Sequence, residues 1–205
     1  MSDPRGRWIA FEGGEGSGKT TQALLLSSKL GAVLTREPGG TVIGERIRAL
    51  LLDPMVINVD ERAETLLMAA DRAQHVTERV RPALEEGRMV VSDRSAYSSL
   101  AYQGYGRGLG AEAVRALCTW ATRGLWPDLA ILLDVPAEVT AERVKGPPDR
   151  MEAAGSDFHR RVHAGFHDLA AGDPAVWVVV DGTGTVREVA ERVVQVYRQW
   201  AGVDD

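Results

Sequence analysis

One cysteine, Cys118, is all the thiol this chain carries. No internal disulfide can form, so the fold does not depend on an oxidising compartment. Cys118 sits within Ala113–Ala121 and reads as a small core residue. No run of about 18 apolar residues occurs, which excludes a membrane-spanning helix. The opening MSDPRGRWIAFEGGEG has no basic region followed by an apolar stretch, and no signal peptide is expected. Positive charge is in deficit: 24 Lys+Arg against 29 Asp+Glu leave a net charge of −5. That argues against a general binder of duplex nucleic acid, which needs a basic face. Only Lys19, Lys29 and Lys145 are lysines. Internal repeats and long low-complexity linkers are missing, as are an HExxH metal motif and an NKxD guanine motif.

What is present suits one compact domain spanning residues 1–205: 44% hydrophobic and 26% charged residues. Short apolar runs at Trp8–Phe11, Ala32–Thr35, Met89–Ser92, Leu129–Asp134 and Val176–Val180 read as strands buried on both faces. Helix-period segments lie between them, over Thr20–Leu30, Glu61–Glu86 with Gly87 as a stop, Ala111–Gly124, Ala137–Val144, Asp157–Ala171 and Thr185–Trp200. The alternation predicts an α/β fold, with a five-stranded parallel sheet flanked by helices. Gly146-Pro147-Pro148 and Ala153-Ala154-Gly155 mark the edges of a mobile excursion at about residues 141–156.

Gly13-Gly14-Glu15-Gly16-Ser17-Gly18-Lys19-Thr20 fits G-x-x-x-x-G-K-[ST], after an expected strand and opening an expected helix. Glycines let backbone N–H groups curl round phosphate oxygens, and the helix N-terminus adds partial positive charge. Lys19 would reach the β- and γ-phosphates, and Thr20 would offer a hydroxyl to Mg²⁺. An arginine-rich chain that keeps lysine here is informative, because guanidinium does not replace that compact charge. A carboxylate at a strand end should help organise the metal, and Asp93, Asp134 and Asp181 are the candidates. Asp93 precedes Arg94, pairing a metal-side anion with a phosphate-side cation. Asp134 and Asp181 read better as helix or turn caps.

The loop alone does not separate a kinase from a switch. Arg36 within TREPGGT, Arg48 on the next helix, Arg72 within MAADRAQH and Arg94 within DRSAYSSLAYQG gather guanidinium groups towards the sheet's C-terminal edge. A second phosphate could be gripped there bidentately. A kinase for another nucleoside monophosphate or a deoxynucleoside, or a nucleotide switch without a second substrate, are the rival readings. The arginine cluster argues against a nucleoside acceptor.

FEGGEGSGKTTQ, TREPGG, GERIRALLL, LLMAADRAQH, VSDRSAYSSLAYQG, WPDLAILLDV, DRME and FHRRVHAGF together resemble the bacterial thymidylate kinase family. The resemblance implies a P-loop kinase fold with a mobile lid, and ATP- and Mg²⁺-dependent phosphorylation of dTMP to dTDP in dTTP synthesis. It implies that Gly13 through Thr20 hold ATP, with Glu15 facing the sugar 3′-hydroxyl and the metal site, which Thr20 and Asp93 would share. Arg36, Arg72 and Arg94 would surround the acceptor phosphate, with Glu37 and Pro38 shaping the wall. Arg48 and Gln103 would contact thymine, with Ser98 and Ser99 beside it. Tyr102 would lie against the sugar and exclude a 2′-hydroxyl. Met68 stands where the family usually stacks an aromatic residue on the base, and Ser95 where an aromatic or His is common. Glu15 precludes a P-loop arginine at its position, so the shortened lid must supply that charge: Arg150 first, Arg143 second. Lys19, Mg²⁺ and lid Arg150 would stabilise the transferring phosphoryl group, and Arg94 would draw the two nucleotides together. A cytoplasmic homodimer acting on small molecules, without membrane or nucleic acid, completes the expectation.

Two signals stand apart. His159, His163 and His167 recur every fourth residue and so line one helix face, which reads as a polar or packing stripe more readily than a Zn²⁺ or Ni²⁺ site. Trp126 and Trp200 read as packing anchors.

Overall fold

The computed structural model describes residues 5–143 and 146–203; Lys145 lies outside the described residues. Five parallel strands form one sheet in the order β2-β3-β1-β4-β5: β1 (Trp8–Glu12), β2 (Val33–Arg36), β3 (Val90–Asp93), β4 (Leu129–Asp134) and β5 (Trp177–Asp181).

The apolar runs are continuous because alternate side chains go to opposite faces, and both faces are covered. Leu129, Ile131 and Leu133 of β4 join Ile9 and Phe11 of β1 beneath two helices, α1 (Lys19–Leu30) and α9 (Val186–Ala201). Ala130 and Leu132 face the other way, into a cluster with Tyr97, Leu100, Phe158, Phe166 and Trp177. Trp8 packs with Val76, Val80, Leu84 and Val90.

Four strands run one residue further than their apolar patterns. Glu12, Arg36, Asp93 and Asp181 are still within β1, β2, β3 and β5. Ladder pairing carries the strands past the last apolar side chain, and in register Asp93 lies opposite both Phe11 and Arg36. The chemistry-bearing residues are therefore the ends of rigid strands.

The segment Glu61–Glu86, expected as one helix, is three pieces. α3 (Glu61–His75) is capped by Asp60, a wider π-helical turn covers Val76–Val80, and α4 (Arg81–Glu85) follows. Pro82 has no N–H to complete the regular ladder, and the chain widens before it. Arg48 lies on α2 (Val42–Leu52), whose N-terminus Thr41 caps by accepting from Gly44 N at 3.0 Å. The motif SAYSSLAYQGYG is itself helical, a short α5 (Ala96–Ser99) running into a π-helical stretch at Leu100–Gly106. α6 (Ala111–Thr122), α7 (Ala137–Arg143), a short 3₁₀ turn at Glu152–Ala154 and α8 (Ser156–Gly172) complete the helices.

Phe166 of α8 is fully buried, with its ring edge-on to Tyr102 at 6.1 Å between centroids. Phe166→Ala should lower unfolding free energy by about 3–5 kcal/mol, measured by urea denaturation.

Candidate active site

The backbone between β1 and α1 turns on glycine. Gly13 has φ +138°, and a Cβ there would lie 2.7 Å from the Leu133 carbonyl oxygen, so no larger residue fits between loop and β4. Gly18 caps α1 in the left-handed region. Lys19 is buried, and its Nζ donates to Gly14 O at 2.6 Å and Ser17 Oγ at 3.3 Å. Burial and the Arg94 charge pull its ammonium down from 10.5 to about 8. Thr20 Oγ1 donates to Asp93 Oδ2 at 2.5 Å, so a hydroxyl and a carboxylate oxygen meet at the head of α1.

Arg94 joins the loop to the motif that follows β3. Its backbone is left-handed, φ +71°, a conformation that costs a non-glycine residue roughly 1 kcal/mol or more. Its guanidinium donates to Gly13 O at 3.0 Å, Ser98 Oγ at 3.1 Å, Tyr102 OH at 3.1 Å and the Glu15 carboxylate. The Arg94 charge holds Glu15 down at about 2, although burial opposes it. Beneath this pair Glu12 is fully buried, accepting from Ser95 Oγ at 2.6 Å and Ser98 Oγ at 2.5 Å. Burial pushes its carboxyl up to about 7, against those two hydrogen bonds.

The other wall is a buried polar lattice. Arg72 donates to Glu37 Oε2 at 2.8 Å, Ser99 Oγ at 3.1 Å, Ser95 O at 3.3 Å and Cys118 Sγ at 3.2 Å. His75 bridges Glu37 Oε1 (2.8 Å) and Thr35 Oγ1 (2.7 Å). Burial opposes the Glu37 charge, but Arg72 and His75 outweigh it and hold the carboxyl below its usual range. Gly40 of TREPGG is needed here: a Cβ would come within 2.5 Å of the His75 ring. The neighbouring Glu37–Pro38 bond is cis. Arg36 pairs with Glu45 at 2.6 Å, and Arg48 donates to Pro38 O at 3.1 Å.

At the far end Glu64 collects Gln103 Nε2 (3.0 Å), Arg107 (3.0 and 3.1 Å) and Arg150 Nη1 (2.8 Å). Burial pushes this carboxyl up, and those hydrogen bonds outweigh it, so it stays below the usual range. Arg150 also donates to Leu51 O at 2.7 Å. Arg150, expected first as the lid cation over the phosphates, is thus tied to Glu64 and the end of α2. Arg143, the second choice, reaches the phosphate loop, donating to Gly182 O at 3.1 Å and Gly16 O at 3.5 Å.

One cleft of about 940 Å³ joins these walls. Glu15 through Thr20 and Arg143 line one side. Arg36, Glu37, Pro38, Arg48, Met68, Arg72, Arg94, Ser98, Ser99, Tyr102 and Gln103 line the other, with Asp93 between. Asp134 and Asp181, the rival carboxylates, point elsewhere. Asp181 accepts from Thr183 N (2.9 Å) and Thr183 Oγ1 (2.6 Å), and Asp134 meets His167 Nε2 at 3.2 Å.

The thymidylate kinase family model matches residues 11–193. The chain belongs to the thymidylate kinase family. A thymidylate kinase of Bifidobacterium longum subsp. infantis is 48% identical over 192 residues, covering 90% of this chain and 82% of that one. One from Cutibacterium acnes is 47% identical over 195 residues, covering 93% and 95%. The crystal structure of thymidylate kinase from Ehrlichia chaffeensis superposes with a TM-score of 0.80 at 31% identity, covering 95% of this chain and all of that one.

Within this thymidylate kinase scaffold, sequence reasoning passed over Glu12, Glu64, Asp71, His75 and Arg107. Asp71 accepts from Gly39 N at 2.9 Å, and burial with nearby Glu37 raises its carboxyl to about 6. A carboxylate and a histidine on the apolar face of a helix, at Glu64 and His75 of α3, were the available signal. The placement of Ser95 also answers its departure from the usual residue. It caps α5, accepting from Tyr97 N, and donates to Glu12.

Glu12 yields a pH dependence with a definite sign. Burial raises its carboxyl from the ordinary 4.5 to about 7 in the fold. The fold therefore retains a proton that the unfolded chain releases, and its stability contribution is lost as pH rises from about 4.5 to about 7. The loss is on the order of 3 kcal/mol. Urea denaturation across that range should show a shallower fall, or a steeper rise, in Glu12→Gln than in the wild type, and parallel curves would remove the buried proton.

Proposed function

We propose that the cleft transfers the γ-phosphate of ATP to the phosphate of dTMP, yielding dTDP and ADP. The chain would serve dTTP synthesis as a cytoplasmic enzyme. The carrying observation is that every residue expected at the acceptor opens into the same cleft as the phosphate loop. Among the described residues no helix is long and apolar enough to cross a membrane.

An acceptor phosphate oxygen forms the new bond to the γ-phosphorus while the bond to the bridging oxygen of ADP breaks. The acceptor is already anionic, so no strong base is needed, and the work is alignment and charge stabilisation. Backbone amides of Gly13–Thr20 would cradle ATP, and Lys19 would reach its β- and γ-phosphates. Arg94, anchored to Gly13 O, stands between donor and acceptor. Thr20 Oγ1 and Asp93 Oδ2 are hard oxygen donors side by side, the donor type Mg²⁺ takes, and they would hold it. Bound there, Mg²⁺ supplies charge neutralisation at the β- and γ-phosphates.

On the acceptor side, Arg36 lies at the exposed end of β2, within reach of a phosphate once Glu45 yields. Arg72 spends its donors on Glu37, Ser99 and Ser95, and so acts as the fixed wall that positions Ser99 and the base edge. Met68, Arg48 and Gln103 complete the thymine pocket, where a thioether contact replaces an aromatic stack. Tyr102, held by Arg94 and Glu15, bounds the sugar.

The segment at about 141–156 is the lid in this reading, and Arg143 is its phosphate cation, because it already donates to Gly16 O. A homodimer fits the exposure of Leu66 on α3 and Trp120 on α6, two helices packed on each other.

ADP formation with ATP and Mg²⁺ should depend on dTMP within a panel of nucleoside monophosphates. Equal turnover without acceptor would mean a switch, and preference for another monophosphate would reassign the substrate. Arg143→Ala should lower kcat about 100-fold with stability retained. Arg150→Ala should act mainly on thermal stability, by leaving Glu64 with one fewer cation. A kcat loss confined to Arg150→Ala would return the phosphate role to that residue.

A further inference from the structure

Outside the cleft, three potential metal ligands converge. Asp134 ends β4, and His163 and His167 lie four residues apart on α8. His167 Nε2 is 3.2 Å from Asp134 Oδ1, and His163 Nδ1 is 4.0 Å from the same oxygen. The imidazole rings meet edge to face at 4.6 Å. One ligand atom from each side chain lies within 4.8 Å of the others. His159, the third member of the stripe, turns away, its Nε2 lying 2.9 Å from Glu152 O.

We propose that Asp134, His163 and His167 form a site for one borderline divalent cation of the Zn²⁺ or Co²⁺ type.

Donor chemistry sets the ion class. Two imidazole nitrogens and one carboxylate oxygen suit Zn²⁺, Co²⁺ or Ni²⁺, whereas Mg²⁺ and Ca²⁺ take oxygen. The site is thus chemically distinct from the Thr20–Asp93 pair. Size also agrees. Ligands at about 2.0–2.1 Å from a tetrahedral ion stand roughly 3.3 Å apart, so rotamer adjustments of about 1 Å close the site. Access is open, since the three side chains are 37–59% exposed. Three protein ligands leave a fourth position for water. A simple ion pair would use one imidazole, but here two approach the same carboxylate oxygen.

The position gives the ion a mechanical consequence. Gly182 N donates to Asp134 O at 2.8 Å, which ties this strand end to the segment lining the cleft. The ion would therefore join the end of β4 to α8.

The test uses the full chain without a polyhistidine tag, stripped by a chelator and titrated with CoCl₂ at pH 7.5. We expect one equivalent to bind with the visible absorption of a four- or five-coordinate site. Zn²⁺ should displace it and millimolar Mg²⁺ should not. His163→Gln and His167→Gln should each weaken binding at least about 10-fold, while His159→Gln leaves it unchanged. Far-UV circular dichroism confirms that the variants fold, and Asp134→Asn gives an independent third ligand test. Zn²⁺ should also raise the thermal midpoint of the wild type and not of the His163→Gln/His167→Gln double variant. Absence of saturable Co²⁺ binding, or equal affinity in the wild type and the histidine variants, would overturn the site.

Discussion

The Arg94 guanidinium is the interaction on which the catalytic end depends. It carries the phosphate-loop carbonyl Gly13 O, the loop carboxylate of Glu15, the hydroxyl of Tyr102 and Ser98 of the helix that follows. Two segments distant in sequence, the phosphate loop and the motif after β3, are thereby held in one geometry. The left-handed backbone that aims Arg94 costs roughly 1 kcal/mol or more, and hydrogen bonds involving charged groups, at about 1.5–3 kcal/mol each, offset it. The same contact keeps Glu15 ionised, which places a fixed anion beside the cation rather than a titrating group.

Behind Arg94 the walls are polar and nearly dry. Glu12, Glu37, Glu64, Arg72 and His75 are buried, and each is hydrogen bonded. A polar lattice of this kind is costly when half satisfied, because each orphaned member faces a low dielectric. Its return is rigidity. Arg72 cannot swing, so Ser99 and the cleft surface above it keep their places. Glu37 sits at the hub, with Arg72 on one oxygen and His75 on the other, and the glycines of TREPGG let the loop close onto that hub. Catalysis by alignment asks for such a frame more than for reactive side chains.

The layered fold was legible because its strands are apolar on both faces, a pattern local to a few residues. The phosphate loop was legible because its spacing dictates its chemistry, and the arginine motifs because they resemble those of the thymidylate kinase family. The widened turn at Val76–Val80 was not, since the apolar period runs through it and only Pro82 hints at the break. Glu64 and His75 were missed for a related reason: a charged residue on a helix is usually solvated, and tertiary packing makes these interior, Glu64 against Gln103 and Arg107 and His75 against Thr35 and Glu37. The histidine stripe shows the same limit. Its period put three residues on one face, but the end of β4 selected two of them.

Arg143 and Arg150 show how tertiary anchoring sorts residues that sequence treats alike. Both are arginines flanking one short excursion, and both had a claim on the phosphates. Arg150 follows Asp149, whose carboxylate accepts from Met151 N and Glu152 N at 2.8 Å each, so the backbone there is already fixed as a turn. Its side chain then meets Glu64, a buried carboxylate that needs cations. Among the described residues, Arg143 at the end of α7 has only backbone carbonyls, Gly182 O and Gly16 O, as hydrogen-bond partners. A guanidinium held by neutral carbonyls can exchange them for phosphate oxygens at small cost, whereas one paired with a buried carboxylate would strand that charge. In the proposed reading the two arginines would thus divide their labour: Arg150 is fixed to the body of the fold, and Arg143 would keep its charge available for phosphate.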